Sequence, residues 1–385
     1  MVGLERSVLP LFAEQEFGVT SRTVVLSFLA SFGLAKALSN LFAGRWSDRL
    51  GRRSILVAGW LAGLPVPFLL LTASGWQTVV LANLFLGINQ GLCWSMTVVM
   101  KIDLVGQKRR GLAMGLNESA GYMAVSLSAL FAGLFAAQAG LRLALFLPGL
   151  CFVLLGLGLS VIPLRETLQF TRAEAAHAQN VERRQPAAQT MPNSSFKQVF
   201  AWASWQNRSL VSLNQAGLVN NLNDAMVWGL APILLARANL PLEQIGLITA
   251  LYPGVWGAGQ LFTGGLSDRF GRKGMISAGL IVQAGGILLL AATQQFWFLI
   301  GAAALLGVGT AMVYPVLIAA VSDAAQPLWR ATAVGIYRLW RDSGYLVGAV
   351  FAGYLADVFS IPFSILAVGV LTFFSGMVVW RWMEA

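Results

Sequence analysis

Long apolar runs recur from one end of the chain to the other, each parted from the next by a short polar stretch. A run of about 18 or more apolar residues crosses roughly 30 Å of hydrocarbon as a helix. The runs predict helices over 1–17, 23–43, 55–74, 77–100, 111–137, 143–163, 210–236, 244–263, 275–293, 296–320, 331–355 and 362–382. Only one long polar stretch interrupts them, from Arg165 to Trp205, with charges of both signs, Pro186, Pro192 and the run Asn193-Ser194-Ser195. It predicts a linker over 164–208 between lobes 1–163 and 209–385, with an interfacial helix carrying Phe196, Phe200, Trp202 and Trp205.

The two halves repeat one another. GRWSDRLGRR begins at Gly44 and GGLSDRFGRK at Gly264, 220 residues later, and the same displacement links Asp103 to Asp323 and Gly115 to Gly335. One register held over several helices implies two six-helix bundles related by a pseudo-twofold axis around a central cavity.

Composition supports that picture: 57% of residues are hydrophobic and 11% charged, where a soluble chain carries roughly 25% charge. A net charge of +10 raises the question of nucleic acid, and the positions of the basic residues answer it. Arg45, Arg49, Arg52, Arg53, Lys101, Lys108, Arg109, Arg110, Arg165, Arg172, Arg183, Arg184, Lys197, Arg208, Arg269, Arg272, Lys273, Arg330 and Arg381 fall on one face when the helices alternate. Arg22, Arg142 and Arg237 fall on the other. That asymmetry places the first face in the cytoplasm and leaves no call for a nucleic-acid partner. Cys93 and Cys151 sit far apart in apolar runs, and the single histidine, His177, lies in the linker. Neither a disulfide framework, a metal site nor a histidine-based catalytic triad can be assembled from them. No cofactor, no metal and no enzymatic chemistry are expected.

The two repeated stretches resemble the signature G-x-L-A-D-R-x-G-R-K-x-x-L of the major facilitator superfamily, matching at Gly44, Asp48, Arg49, Gly51, Arg52 and Arg53 and again at Gly264, Asp268, Arg269, Gly271, Arg272 and Lys273, with Trp46 the main departure. The resemblance covers essentially the whole chain. It implies an all-α membrane protein of about twelve spanning helices that moves a small solute by alternating access. In that family the signature loop is a cytoplasmic latch, so Asp48 and Asp268 are expected to control closure; topology alone is the competing explanation for the arginines. Met1 to Phe12 is short for a span and looks like the second half of a first helix, which suggests an internal methionine and a start upstream. The arginine of the R-x-x-Q-G pattern of drug–proton antiporters is replaced by Gly87, ahead of Gln90-Gly91, and the fifth helix lacks their Gly-Pro element, so no proton relay transfers.

Ionisable groups inside the apolar runs mark the expected site, because each costs roughly 2.5–3.5 kcal/mol at mid-bilayer unless paired or hydrated. Glu118, Asp224, Arg338, Arg341 and Asp342, with Asn89, Gln90, Asn117, Asn221 and Tyr314, are expected to line a polar cavity. Glu118 and Arg338 are again 220 residues apart and are expected to pair across it, unless these charges form structural pairs that never meet solute. Glu5 with Arg6, and Lys36 toward the cytoplasmic end of its helix, read as structural. Expected partners are a small-molecule substrate, protons and membrane lipids, with the chain acting as a monomer in the cytoplasmic membrane. Organic-acid or sugar uptake, drug or metabolite efflux, and a transport-dead sensor or scaffold all remain open.

Overall fold

The computed structural model describes residues 1–105, 110–170, 196–325 and 330–384, so Lys108, Arg109 and linker residues 171–195 lie outside the described residues. All the regular structure described is helical. The first lobe holds α1 (Val2–Phe17), α2 (Arg22–Leu50), α3 (Arg52–Gly63), α4 (Pro65–Leu71), α5 (Trp76–Val105), α6 (Arg110–Ala139) and α7 (Leu141–Val161). A short α8 (Phe196–Ala201) and a π-turn over Trp202–Gln206 lead into the second lobe. That lobe holds α9 (Arg208–Arg237), α10 (Leu242–Phe270), α11 (Arg272–Ala292), α12 (Phe296–Ala324), α13 (Arg330–Val358) and α14 (Ile361–Trp382). The helices α3 and α4 form one span broken at Pro65, whose ring supplies no N–H to the preceding turn.

Each predicted span has its helix, and several helices outrun their apolar stretch. α2 continues to Leu50 and α10 to Phe270. A helix needs lipid only for its apolar turns and continues into water as long as its backbone bonds remain satisfied. The signature stretches are therefore helix ends rather than loops. Gly51 and Gly271 alone make the turns, with φ of +94° and +84°, a region that side chains strain to reach. Helix entries are fixed by side-chain caps: Ser21 accepts the Val24 N–H, Asn207 the Leu210 N–H and Ser360 the Phe363 N–H.

Among the described residues, eight helices are long and apolar enough to cross a membrane, while α1, α9, α10 and α13 fall short by length or polarity. Three of those four carry buried charges: Glu5 and Arg6 in α1, Asp224 in α9, and Arg341 and Asp342 in α13. The outer surface exposes Leu155, Phe262, Trp297 and Phe374, as a lipid-facing exterior requires. The lobes meet along two seams, α2 against α13 and α6 against α10. Small residues bring the backbones close: a Cβ on Gly133 would stand 2.7 Å from the Gly246 Cα, and one on Gly353 would stand 2.7 Å from the Thr23 Cα.

Candidate functional site

Between the seams lies a narrow polar cavity of about 30 Å³, room for a water molecule or two, lined by Lys36, Asn40, Trp94, Ser95, Glu118, Tyr314, Arg338 and Arg341. α2, α5 and α6 of the first lobe face α12 and α13 of the second across it. A wider cavity of about 160 Å³ shares Asn40 and Arg338 with it and is lined further by Ala37, Val334, Gly335, Leu339 and Asp342. Val334 and Gly335 lie nearer the start of α13 than Asp342 does, so the wider cavity extends toward the basic face.

The charges here are unevenly partnered. Arg341 donates to Asp342 at 2.8 Å, and Asn40 donates to the other Asp342 oxygen at 2.9 Å, which joins the lobes. Asn221 adds a weaker bond to Asp342 at 3.4 Å. The Arg341 guanidinium also stands 5.1 Å from the Tyr314 ring centre, within reach of a cation–π attraction. Glu118 accepts the Trp94 indole N–H at 2.8 Å and an Asn117 N–H at 3.4 Å on one oxygen, while its second oxygen has no partner. Lys101 holds Asn117 from the side at 2.6 Å. Glu118 and Arg338 share the cavity but form no ion pair with each other, and the Arg338 Nε is buried and unpartnered. The expected cross-cavity pair is thus corrected: in this conformation the two groups face a common space instead of one another.

Aromatic rings close the cavity on the side away from the basic face. Tyr122 of α6 stacks on Trp256 of α10 with ring centres 3.5 Å apart, and Trp94, Tyr314 and Tyr252 extend the layer. A second polar layer surrounds Asp224, which accepts hydrogen bonds from Tyr252 and, at 3.2 Å, from Tyr345. Arg6 of α1 is fully buried with no hydrogen-bond partner; its guanidinium is held by the rings of Phe32, Trp228 and Phe28 at 4.6, 4.9 and 5.4 Å. Both carboxylate oxygens of Glu5 are likewise buried with no hydrogen bond, so Glu5 and Arg6 make no direct ion pair with each other. At the opposite face, Asp357 at the end of α13 takes the Ser21 hydroxyl at 2.8 Å and the backbone N–H groups of Arg22 and Thr23. One lobe thereby caps a helix of the other, and Arg22 pairs with Glu14 beside it.

At the basic face, Arg52 donates to Ser47 at 2.7 Å and to Asp103 at 3.4 Å, and Thr167 donates to Asp103 at 2.8 Å. Glu166, just after α7, accepts the N–H groups of Arg52, Arg53, Thr167 and Leu168. Partial burial works against its charge, but these four donors prevail and hold the carboxyl below its ordinary range. In the second copy Arg272 donates to Ser267 and Asp323 and pairs with Asp268 at 2.6 Å. Arg49 and Arg269 occupy the last turns of α2 and α10. Gly44 and Asp48 lie outside the residues whose side chains are described, and Gly264 has open space around its Cα.

Of the other expected cavity residues, Asn89 is turned away: it donates to the Gly59 carbonyl at 2.9 Å inside the first lobe. Gln90 is half-buried one residue on and is not among the residues lining either polar cavity. Lys36 corrects the reading in the other direction. It does not reach for the basic face; it lines the cavity, with its ammonium 5.3 Å from the Tyr345 ring centre. Sequence reasoning also passed over Tyr252, Tyr345 and Trp228. The one signal for them was aromatic residues recurring within polar-bearing helices, a pattern that apolar packing produces equally well.

A Major Facilitator Superfamily profile matches residues 6–215 and 213–385. An uncharacterised MFS-type transporter of Methanocaldococcus jannaschii is 20% identical over 380 residues, 97% of this chain and 93% of its own length. The multidrug resistance protein MdtH of Yersinia enterocolitica is 32% identical over 95 residues, covering 25% of this chain and 24% of that protein. Among solved structures, a D-xylose–proton symporter superposes with a TM-score of 0.74 at 17% identity, covering 100% of this chain and 95% of that one. A POT family transporter in complex with a thioalcohol-conjugated peptide gives a TM-score of 0.74 at 13% identity, over 99% and 92% of the two chains. Two matched halves, helices in two bundles, eight of them among the described residues long and apolar enough to cross a membrane, and a polar cavity between the bundles describe a multi-pass membrane transporter and not an enzyme, and the chain belongs to the Major Facilitator Superfamily.

Proposed function

We propose that this chain is a secondary active transporter that carries a small solute across the cytoplasmic membrane by alternating access, with its basic face in the cytoplasm. One observation carries the reading: charged groups from both lobes meet in a cavity that widens toward the basic face and is closed toward the other by stacked rings and the Asp357 cap. Lobes 1–163 and 209–385 rock about that point, and the two signature helix ends latch the basic face when it closes. The proton gradient supplies the driving force, and Glu118, with one oxygen free in the cavity, is its carrier. The local likeness to a multidrug resistance protein, together with the aromatic wall, favours export of an amphipathic compound as a second reading.

Single cysteines at Val334 and Ser21, in a chain lacking Cys93 and Cys151, test the mechanism in membrane vesicles. Labelling from the two sides should change reciprocally when one conformation is trapped. Sites that keep fixed accessibility under every condition would leave the protein without a transport cycle. In proteoliposomes, a protonophore should collapse accumulation, and Glu118→Gln should exchange solute without concentrating it.

A further inference from the structure

We infer that the transported solute is a small organic carboxylate, its carboxylate held in the narrow cavity between Lys36 and Arg338 and its carbon body in the adjoining wider cavity against Ala37, Val334 and Leu339. This rests on the cavity being the solute site. The argument is one of charge balance. Three cations, Lys36, Arg338 and Arg341, line the narrow cavity together with one carboxylate, Glu118. Arg341 is neutralised by Asp342 at 2.8 Å. Among the residues lining this cavity Lys36 and Arg338 then remain against Glu118 alone, and no ion pair joins either of them to a carboxylate in the described residues. The space therefore holds one excess positive charge, with a guanidinium nitrogen of Arg338 buried and unpartnered.

Burying an unpaired charge is costly, and an occupant of opposite sign removes that cost while one of like sign doubles it. A cationic solute would raise the excess to two; a neutral one would leave it in place; a monoanion cancels it. Guanidinium is a planar fork matched to the two oxygens of a carboxylate, and the ammonium of Lys36 supplies further donors from the facing helix α2. One anion would so tie the two lobes together, which is the contact that a rocking carrier needs its cargo to make. Size follows from the wider cavity of about 160 Å³, since an engineered cavity of about 150 Å³ takes benzene. Ala37, Val334 and Leu339 offer that wider cavity's apolar wall to the rest of the molecule.

The probes are benzoate and lactate, their neutral amides benzamide and lactamide, and the cation benzylamine. With purified wild-type protein in detergent, the carboxylates should raise the melting temperature while the amides and the amine leave it unchanged. In proteoliposomes, Lys36→Gln and Arg338→Gln should each raise the half-saturating benzoate concentration at least about tenfold, and Lys36→Arg should restore most of it. That rescue separates a lost charge from a damaged fold. Equal stabilisation by benzamide, or preferential stabilisation by benzylamine, overturns the carboxylate assignment. Should that happen while the cysteines at Val334 and Ser21 still report reciprocal access, the carboxylate class fails and the transport cycle stands; fixed access would remove both.

Discussion

The two signature copies build one hydrogen-bond pattern and bury it to different degrees. In each, an arginine donates to a serine five residues before it and to an aspartate 51 residues after it: Arg52 to Ser47 and Asp103, Arg272 to Ser267 and Asp323. The first pair is enclosed, with both side chains 6% exposed; in the second, Arg272 is 24% and Asp323 64% exposed. Thr167 and Glu166, which follow the sixth span, cover the first copy. The repeated motif specifies a local geometry, and its energetic weight is set by what lies over it.

Removing the arginine from each copy should expose that difference most clearly. Arg52→Ala takes the guanidinium away from an enclosed Asp103 and should cost about 3–5 kcal/mol, whereas Arg272→Ala breaks a solvated pair and should cost about 1 kcal/mol or less. Thermal unfolding of the two variants in the same detergent measures both, and equal losses would show that the enclosure has no energetic consequence. A smaller contrast is expected at the turns. Gly51→Ala and Gly271→Ala each force a side chain into a positive-φ conformation, at about 1–3 kcal/mol. Only at Gly51 does the new Cβ meet an obstacle, the Glu166 carboxylate at 2.5 Å; nothing lies within 4 Å at Gly271. Gly51→Ala should therefore be the more damaging, by about 1 kcal/mol.

The opposite face offers the matching test of closure. Asp357→Ala removes an acceptor for two backbone N–H groups and a hydroxyl at the start of α2. Losing such a cap costs about 0.5–2 kcal/mol, and because it joins the lobes only when that face is shut, the loss should appear as a population shift. Faster labelling of a cysteine at Ser21, by about twofold to thirtyfold, is the expected readout. Unchanged labelling would place the seal elsewhere, with the ring stack of Tyr122 and Trp256 the next element to probe.

The fold was legible because lipid leaves the chain little choice. Every spanning backbone must satisfy itself as a helix, so apolar runs translate directly into elements, and the repeat at Gly44 and Gly264 adds the twofold relation. For the site, Glu118, Arg338, Arg341 and Tyr314 were visible as ionisable or ring-bearing groups in apolar surroundings. Lys36 was misplaced because depth was counted from the end of an apolar run; α2 continues to Leu50, which makes Lys36 the midpoint of the helix. Asn89 was misassigned because sequence does not reveal how a helix is rotated in its bundle, and here that rotation points it at Gly59. Nor could sequence show Asp224 meeting Tyr252 and Tyr345, since the partners come from two other helices whose packing brings them together. The asparagines beside it divide similarly: Asn220 and Asn223 turn toward Gln283 inside the second lobe, while Asn221 turns to Asp342.

The finest test of the two signature copies is their response to acid. Burial is the largest single influence on Glu166 and opposes its charge, but the N–H groups of Leu168, Arg52, Arg53 and Thr167 together outweigh it and hold the carboxyl below its ordinary range in the folded protein. A carboxyl with a lower folded than unfolded pKa stabilises the fold fully above the unfolded value, and that contribution disappears as pH falls through the folded one. The clamp over the first copy should therefore be intact at neutral pH and weaken as pH falls below about 4.5, the ordinary glutamate value, toward its lower folded one. Glu166→Gln keeps the shape and one acceptor but loses the charge, so it should lower stability by about 1 kcal/mol at pH 7 and remove this part of the acid dependence. The two unfolding curves should converge as pH falls below the folded pKa of Glu166. Curves that stay parallel as the solution is acidified would mean that Glu166 titrates alike in both states, and the enclosure of the first copy would then rest on the bonds around Arg52 and Asp103.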